Sequence, residues 1–359
     1  MRIAINTGGG DAPGLNAVIR AAVLSARRRD WEVIGIRRGY SGLFRPGGIV
    51  SLNERSVRGI ARIGGTILGT TNRGSPFSFP VKQPDGSVQM VDRSDEAIER
   101  MKALGIDCLI AVGGDGSLRI ASELAGKGLN VIGVPKTIDN DLAGTAFTFG
   151  FHTAVQTATD AIGKLHSTAE AHQRVMVVEL MGRHTGWIAL FAGFAATADA
   201  ILIPEIPYDV AKVAERVRSR WAEGREYAII VVAEGAMPLG GEASYLDKPA
   251  LGGGRRLGGV GKRIADRIEE LTGHETRSLV LGHLQRGGRP VAYDRILSLR
   301  FGTAAVELAE QGRFGCMVGV DPPLVHAVPL AEAIKSLKRV PVDGDIVRAA
   351  RAMGISFGD

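Results

Sequence analysis

The segment Pro135-Lys136-Thr137-Ile138-Asp139-Asn140-Asp141 sets two carboxylates two residues apart beside a lysine. Either carboxylate can accept the proton of an attacking hydroxyl, a general-base role that contributes about 10²–10⁴ in rate. Lys136 can neutralise charge developing on a phosphate. An Asx-turn with solvated charges is the alternative reading. Val112-Gly113-Gly114-Asp115-Gly116-Ser117 follows an apolar run and precedes a helix pattern. Its glycines expose backbone N–H groups to a phosphate, and Asp115 can hold a hard cation such as Mg²⁺ through oxygen or can cap the helix. Gly8-Gly9-Gly10-Asp11-Ala12-Pro13-Gly14 stands in the same relation to a strand and a helix. It is no dinucleotide fingerprint, because Pro13 takes the last glycine position, and Gly261-Lys262 is no P-loop. Basic residues flank two further strand patterns: His172-Gln173-Arg174 ahead of one and Met181-Gly182-Arg183 after it, then Arg277 ahead of another and His283-Leu284-Gln285-Arg286 after it. Arginines so placed can clamp a sugar phosphate with paired hydrogen bonds.

The elements that must carry these groups follow from periodicity. Short apolar runs ending in glycine alternate with helix-period segments, which predicts βαβ units and mainly parallel sheets. Strands are expected over Arg2–Asn6, Glu32–Ile36, Cys108–Val112, Val131–Val134, Val175–Leu180, Ala200–Ile203, Ala228–Ala233 and Leu279–Leu281. A helix with Leu15, Val18, Ile19, Ala22 and Val23 on one face follows the first strand, with Pro13 in its first turn and Arg27, Arg28 and Arg29 near its end. Residues 78–90, with an Asp85-Gly86 turn, read as a loop or hairpin. The glycine-rich stretch 251–261 reads as a link into a helix carrying Ile264, Ala265 and Ile268. His184 reads as a helix-start residue rather than a ligand.

Length and composition narrow the class. A chain of 359 residues is long for one core and suits two α/β lobes. An apolar fraction of 45% argues against disorder. The formal charge of +6 is spread among acids, and aromatics make up only 5%, so stacking platforms and dense basic runs are missing. Nucleic acid is therefore a poor fit, and anionic small molecules a better one. Cys108 and Cys316 lie far apart, which suits a reducing compartment. No signal-like hydrophobic region opens the chain, and the longest apolar stretch, Trp187 to Ala198, is too short to span a bilayer. A cytoplasmic protein without membrane association is the expectation.

Taken in order, Gly-Gly-Asp-Ala-Pro-Gly at 9–14, Gly-Gly-Asp-Gly-Ser at 113–117, Pro-Lys-Thr-Ile-Asp-Asn-Asp at 135–141, Met-Gly-Arg at 181–183 and Gly-His-Leu-Gln-Arg-Gly-Gly at 282–288 resemble the 6-phosphofructokinase family across nearly the whole chain. The resemblance implies an α/β fold of two Rossmann-like lobes with mainly parallel sheets and a cleft active site. Residues 1–150, completed by about 287–335, would form a donor lobe for ATP and Mg²⁺. Residues 151–286, with the C-terminal segment 336–359, would form a fructose 6-phosphate lobe. It implies transfer of the ATP γ-phosphoryl group to the 1-hydroxyl of fructose 6-phosphate in glycolysis. Asp139 matches the catalytic base, with Lys136 and Arg183 beside it in the catalytic set, and Asp115 matches the Mg²⁺ acid. Gly10, Arg73, Gly114, Asp115, Gly116 and Ser117 match the donor site. Thr137, Ile138, Asp139, Met181, Gly182, Arg183, Glu234, His283, Leu284, Gln285 and Arg286 match the sugar-phosphate site. Arg174 and Arg277 match arginines that reach the 6-phosphate from a neighbouring subunit, which implies a homodimer or homotetramer with shared sites.

Two departures qualify the resemblance. Glycine at both donor-determining positions marks ATP-using bacterial members, and Asp and Lys mark pyrophosphate-using ones. Gly116 and Lys136 split that pair, as in the mixed-substrate branch. ATP is the expected donor: an Asp at 116 would set a carboxylate near the nucleotide's α-phosphate, costing about 4 kcal/mol at about 4 Å and an effective dielectric near 20. Pyrophosphate is the alternative donor. On the first helix, the effector-binding pair of arginines is reduced to Arg20, with Leu24 in the second place, so weak or absent effector control is expected. A non-catalytic phosphosugar or nucleotide sensor is the remote alternative, disfavoured by the retention of Asp139 and Asp115.

Overall fold

A computed structural model describes residues 1–246 and 256–359. The chain runs β1 (Arg2–Thr7), α1 (Leu15–Arg27), β2 (Glu32–Ile36), β3 (Ile49–Leu52), β4 (Phe79–Lys82), β5 (Val88–Val91), α2 (Ser94–Ala103), β6 (Cys108–Gly113), α3 (Asp115–Gly126), β7 (Val131–Pro135) and α4 (Phe151–Ala171). It continues through β8 (Val175–Leu180), α5 (Trp187–Ala195), β9 (Ala200–Leu202), α6 (Val210–Ala222), β10 (Ala228–Ala233), β11 (Tyr245–Leu246), β12 (Arg256–Leu257), α7 (Val260–Thr272) and β13 (Thr276–Val280). The last elements are α8 (Ala292–Glu310), β14 (Cys316–Asp321), β15 (Leu324–Pro329), α9 (Leu330–Ala333) and α10 (Asp345–Ala352). Residues divide into two compact units, Met1–Thr137 with Leu142–His152 and Arg286–Leu337, and Ile138–Asp141 with Thr153–Gln285 and Lys338–Asp359.

The first unit is built on a seven-stranded sheet in the order β15-β14-β7-β6-β1-β2-β3. Its five inner strands are parallel, and β3 and β15 close the edges antiparallel. Alternate residues of the inner strands enter two different cores. Ile3, Ile5, Ile110, Val112 and Val134 pack with α1 and α8, while Ala4, Leu109, Ala111 and Val131 pack with α2 and α3. Burial on both faces explains why these strands read as continuous apolar runs. The chain leaves β1 toward β2 on one side and later fills β6 and β7 on the other, so the sheet reverses direction between β1 and β6. Loops that follow neighbouring strands at such a reversal diverge and leave a crevice at the carboxyl ends.

The second unit holds a parallel four-stranded sheet in the order β13-β8-β10-β9. Val175, Val177, Ile230 and Val232 meet α6 and α7 through Val213, Val217, Ile264 and Ile268.

Several elements differ from the sequence reading. The strand expected over 279–281 spans Thr276–Val280, so Arg277 lies inside it and not ahead of it. An edge strand with one solvent-facing side needs no apolar run, and its burial pattern is mostly exposed. Pro13 precedes the N-cap residue Gly14 of α1 instead of occupying the first turn. His184 lies ahead of α5, whose N-cap is Gly186. The hairpin expected over 78–90 is formed by β4 and β5. Residues 251–255 of the expected glycine-rich link lie outside the described residues.

Helix α8 packs on α1 at Gly302, where a Cβ would stand 2.5 Å from the Val18 carbonyl oxygen. Alanine is the better helix former by about 0.8–1.0 kcal/mol, but that contact is with backbone and cannot swing away. Gly302→Ala is therefore predicted to lower stability by about 1–3 kcal/mol in urea unfolding. Gly163→Ala, at an exposed site on α4 with nothing within 4 Å, is predicted to raise it by about 0.5–1 kcal/mol. An unchanged midpoint for Gly302→Ala would show slack between the helices.

Candidate active site

In the first unit, three strand ends converge through backbone. Gly8 donates its N–H to the Val112 carbonyl at 2.9 Å, and Lys136 donates its N–H to the Gly113 carbonyl at 2.9 Å. The turns after β1, β6 and β7 are thereby tied to one another. Glycine is required where they meet. A Cβ on Gly8 would lie 2.6 Å from Ser117 Oγ, and one on Gly113 would lie 2.2 Å from Ser117 Cβ. Gly114, the N-cap of α3, has a Cβ position 3.2 Å from the Lys136 carbonyl oxygen. The Lys136 ammonium crosses the opening of the first turn and donates to the Gly10 carbonyl. Arg286 reaches the same turn, donating to the Asp11 carbonyl at 3.1 Å, with its guanidinium against Gly10. Five of the sequence-predicted residues, Gly10, Gly114, Ser117, Lys136 and Arg286, thus gather at one rim of one sheet.

Asp115 is the first residue of α3 and makes no capping bond, which removes the helix-cap reading. Its carboxylate accepts from Arg119 one turn later at 3.2 Å, with both side chains about a third or more exposed. Such a surface pair is worth at most about 1 kcal/mol and leaves the carboxylate available. Gly116 is open: a Cβ there would meet nothing within 4 Å. Thr148 Oγ1 donates to the Thr137 carbonyl at 2.7 Å and fixes the end of the β7 segment in this unit. Arg73 follows a turn in which its N–H bonds Thr71 Oγ1 at 3.0 Å.

In the second unit, adjacent strands β8 and β10 end together. Glu234 follows β10 and donates its N–H to the Leu180 carbonyl at 2.8 Å. Its carboxylate accepts the Arg183 N–H at 3.0 Å. Burial pushes the Glu234 carboxyl above its usual range, the Arg183 and Gly182 N–H groups oppose this, and the nearby Asp139 and Glu179 charges add to it. Gly182 has φ 149°, and a Cβ there would lie 2.5 Å from the Thr185 carbonyl oxygen. Arg183 adopts φ 52° directly after it. Asp139 is buried, and its carbonyl accepts from Thr185 Oγ1 at 3.2 Å. His184 is held below its ordinary range by desolvation and by Arg183 and Arg339, against the pull of Asp139.

The remaining predicted residues distribute unevenly. Arg174 and Arg277 share Glu275, at 3.6 and 2.7 Å, near the amino ends of β8 and β13. That is the opposite end of the sheet from Met181, Gly182, Arg183 and Glu234. His283 and Leu284 are exposed, whereas Gln285 is fully buried with its amide turned to the Gly282 carbonyl at 3.2 Å. Ile138 is also fully buried. Two residues absent from the sequence reading support this unit's loops. Glu205 accepts the N–H groups of Gly186 and Val340, at 3.0 Å in each case. Lys338 meets the loop that bears Asp139. Both sit in stretches whose charges look like ordinary solvated ones, so the sequence carries no signal for them. Among the described residues no group of three or more His, Cys, Asp or Glu could hold a metal ion unaided. Among the described residues no helix is long and apolar enough to cross a membrane.

Comparison with known proteins agrees with this fold. The family model described as Phosphofructokinase matches residues 2–309. A Chloroflexus aggregans protein named ATP-dependent 6-phosphofructokinase is 52% identical over 358 residues, covering 100% of this chain and 98% of its own. A pyrophosphate–fructose 6-phosphate 1-phosphotransferase of Amycolatopsis methanolica is 48% identical, covering 95% of this chain and 96% of its own. Among solved structures, Pichia pastoris phosphofructokinase in the T-state matches with a TM-score of 0.80 at 30% identity over 93% of this chain, which spans only 35% of that longer chain. A pyrophosphate-dependent phosphofructokinase from Nitrosospira multiformis, with a TM-score of 0.81 at 22% identity over 100% of this chain and 92% of its own, attests the shared fold alone. With a family match over most of its length and a half-identical relative covered end to end, this chain belongs to the phosphofructokinase family.

Proposed function

We propose that this protein is an ATP-dependent 6-phosphofructokinase, transferring the γ-phosphoryl group of ATP to the 1-hydroxyl of fructose 6-phosphate. The observation that carries the reading is full-length likeness, at 52% identity, to an enzyme named for this activity. The first unit, with Gly10, Arg73 and Gly114–Ser117, is read as the donor side, and the second, with Arg183, Glu234 and Asp139, as the acceptor side. Thr137, Ile138, Met181, Gly182, His283, Leu284, Gln285 and Arg286 complete the acceptor assignments. The buried Ile138 and Gln285 contribute through backbone and support. Backbone N–H groups at the start of α3 suit the donor phosphates. Lys136 supplies a positive charge at the rim where charge develops. In the transfer, the sugar O1–phosphorus bond forms and the bond from phosphorus to the bridging oxygen of ADP breaks. Asp139 takes the hydroxyl proton.

Magnesium fits the residues present. Mg²⁺ is commonly held by one or two carboxylates together with substrate phosphates rather than by a full protein cage. A single available acid, Asp115, at the head of α3 meets that demand. The ion would neutralise charge on the phosphates during transfer. Arg174 and Arg277, remote from Arg183 on their own sheet, are read as serving the 6-phosphate of a neighbouring subunit in a homodimer or homotetramer. A cytoplasmic setting suits the two buried free thiols and the substrates.

A second reading, pyrophosphate as donor, is favoured by Lys136 on the Gly10 carbonyl and by the Amycolatopsis relative. The open space at Gly116 favours ATP. Assayed with fructose 6-phosphate and either donor at matched concentrations, the protein is expected to turn over faster with ATP. Gly116→Asp is expected to depress ATP use by at least about tenfold through repulsion of the nucleotide phosphates. Faster turnover with pyrophosphate, or an unchanged ATP rate in the variant, would reverse the choice of donor.

Effector control is proposed to be weak. Arg20 donates to the Val57 carbonyl at 2.7 Å, and Leu24 packs against the first unit's core instead of offering a second cation. Fructose 6-phosphate saturation is expected to be hyperbolic and insensitive to ADP. A sigmoidal curve relieved by ADP would contradict this.

A further inference from the structure

Lys338 belongs to none of the motif segments, and it lies beyond the residues matched by the family model. Within the second unit it nevertheless touches the loop Ile138–Asp141 twice. Its N–H donates to the Asp141 carbonyl at 2.9 Å, and its Nζ donates to Asn140 Oδ1 at 3.0 Å. Asn140 has φ 52°, in the left-handed region that non-glycine residues seldom adopt. Asparagine tolerates this region better than most residues, but such a conformation persists where surrounding contacts hold it. Lys338 is itself anchored. Trp187 Nε1 donates to its carbonyl at 2.8 Å, and the ammonium lies 5.5 Å from the Trp187 ring centroid.

We propose that Lys338 is a positioning residue for phosphoryl transfer, locking Asn140 in its left-handed conformation and so fixing the carboxylate of Asp139 next to it. The inference rests on the phosphofructokinase reading, in which Asp139 is the base. It acts through backbone: a change at Asn140 φ swings the preceding peptide and its side chain together. A displacement of about 1 Å at a reacting group can cost about 10²-fold in rate.

The interaction also has a pH window. Burial brings the Lys338 ammonium down to about 8, with the Asp141 charge opposing. Below that value the bond to Asn140 is charge-assisted, and above it the neutral amine holds Asn140 less firmly. The hold therefore weakens as pH rises through about 8. Asp141 on the loop acts on the ammonium, Arg183, Arg339 and Asp139 act on His184 on the turn after β8, and Glu205 binds the N–H of Val340, two residues beyond Lys338. His184 is shifted downward, away from this window.

The test compares the full-length protein with Lys338→Met from pH 6.5 to 9.5. The wild type is expected to lose kcat with an apparent pKa near 8, while Lys338→Met should show no such limb. At pH 7 the variant's kcat should be lower by about ten- to a hundredfold, with KM for fructose 6-phosphate within about threefold. Hydrogen exchange of the peptide 136–142, measured without substrate and corrected for intrinsic pH dependence, should rise above pH 8 in the wild type and be raised already at pH 7 in the variant. Asn140→Gly keeps the left-handed backbone accessible and deletes the acceptor. It should likewise abolish the alkaline limb if Lys338→Met does not fold. A variant kcat equal to wild type at pH 7, a retained alkaline limb, or unchanged exchange would overturn the proposal. A wild type that phosphorylates fructose 6-phosphate with neither donor would defeat the functional reading alone, and the exchange measurement would still decide the role of Lys338.

Discussion

The first unit of this protein depends on one close approach of backbone to backbone. The N–H of Gly8 meets the carbonyl of Val112, and Ser117 fills the space that side chains on Gly8 and Gly113 would need. Because β1 and β6 are neighbours at the point where the strand order reverses, their following turns diverge and leave a crevice at the carboxyl ends. A Cβ at Gly8 or Gly113 would push the turns apart. Lys136 and Arg286 then add positive charge at the rim, each donating to a backbone carbonyl of the first turn.

The second unit solves a different problem, that of holding carboxylates in a partly desolvated place. Burial, and after it the Asp139 charge, raise the cost of ionising Glu234, and the Arg183 and Gly182 N–H groups offset part of it. Loops with left-handed residues at Asn140 and Arg183 bring these groups together. Such conformations need outside support, which here comes from Thr185, Glu205 and Lys338. The supporting residues touch the loops rather than presenting themselves as ligands, and that is why they look unremarkable in a sequence.

The motif segments were legible because glycine and acid at a strand end have few uses besides ligand binding, and the inner strands because burial on both faces leaves unbroken apolar runs. The start of β13 was not legible: Thr276-Arg277-Ser278 lies at a sheet edge, where polar residues can pair and still meet water. Helix α8 escaped notice for a related reason. Its apolar residues point in several directions, including toward α1 and the sheet, so no single stripe stands out. That the Asp115 carboxylate is not spent on capping needed coordinates, since α3 takes its N-cap at Gly114. Lys338 reads as one more charge in a polar run until its distance to Asn140 is known.

The most direct test of the account is the effect of Asp139→Asn on single-turnover phosphorylation of fructose 6-phosphate. The substitution keeps shape and removes the proton acceptor, so kcat should fall by about 10²–10⁴ while the dissociation constant for fructose 6-phosphate stays within about threefold. A variant that turns over within about twofold of wild type would contradict the assignment of Asp139 as the base and, with it, the central chemical claim.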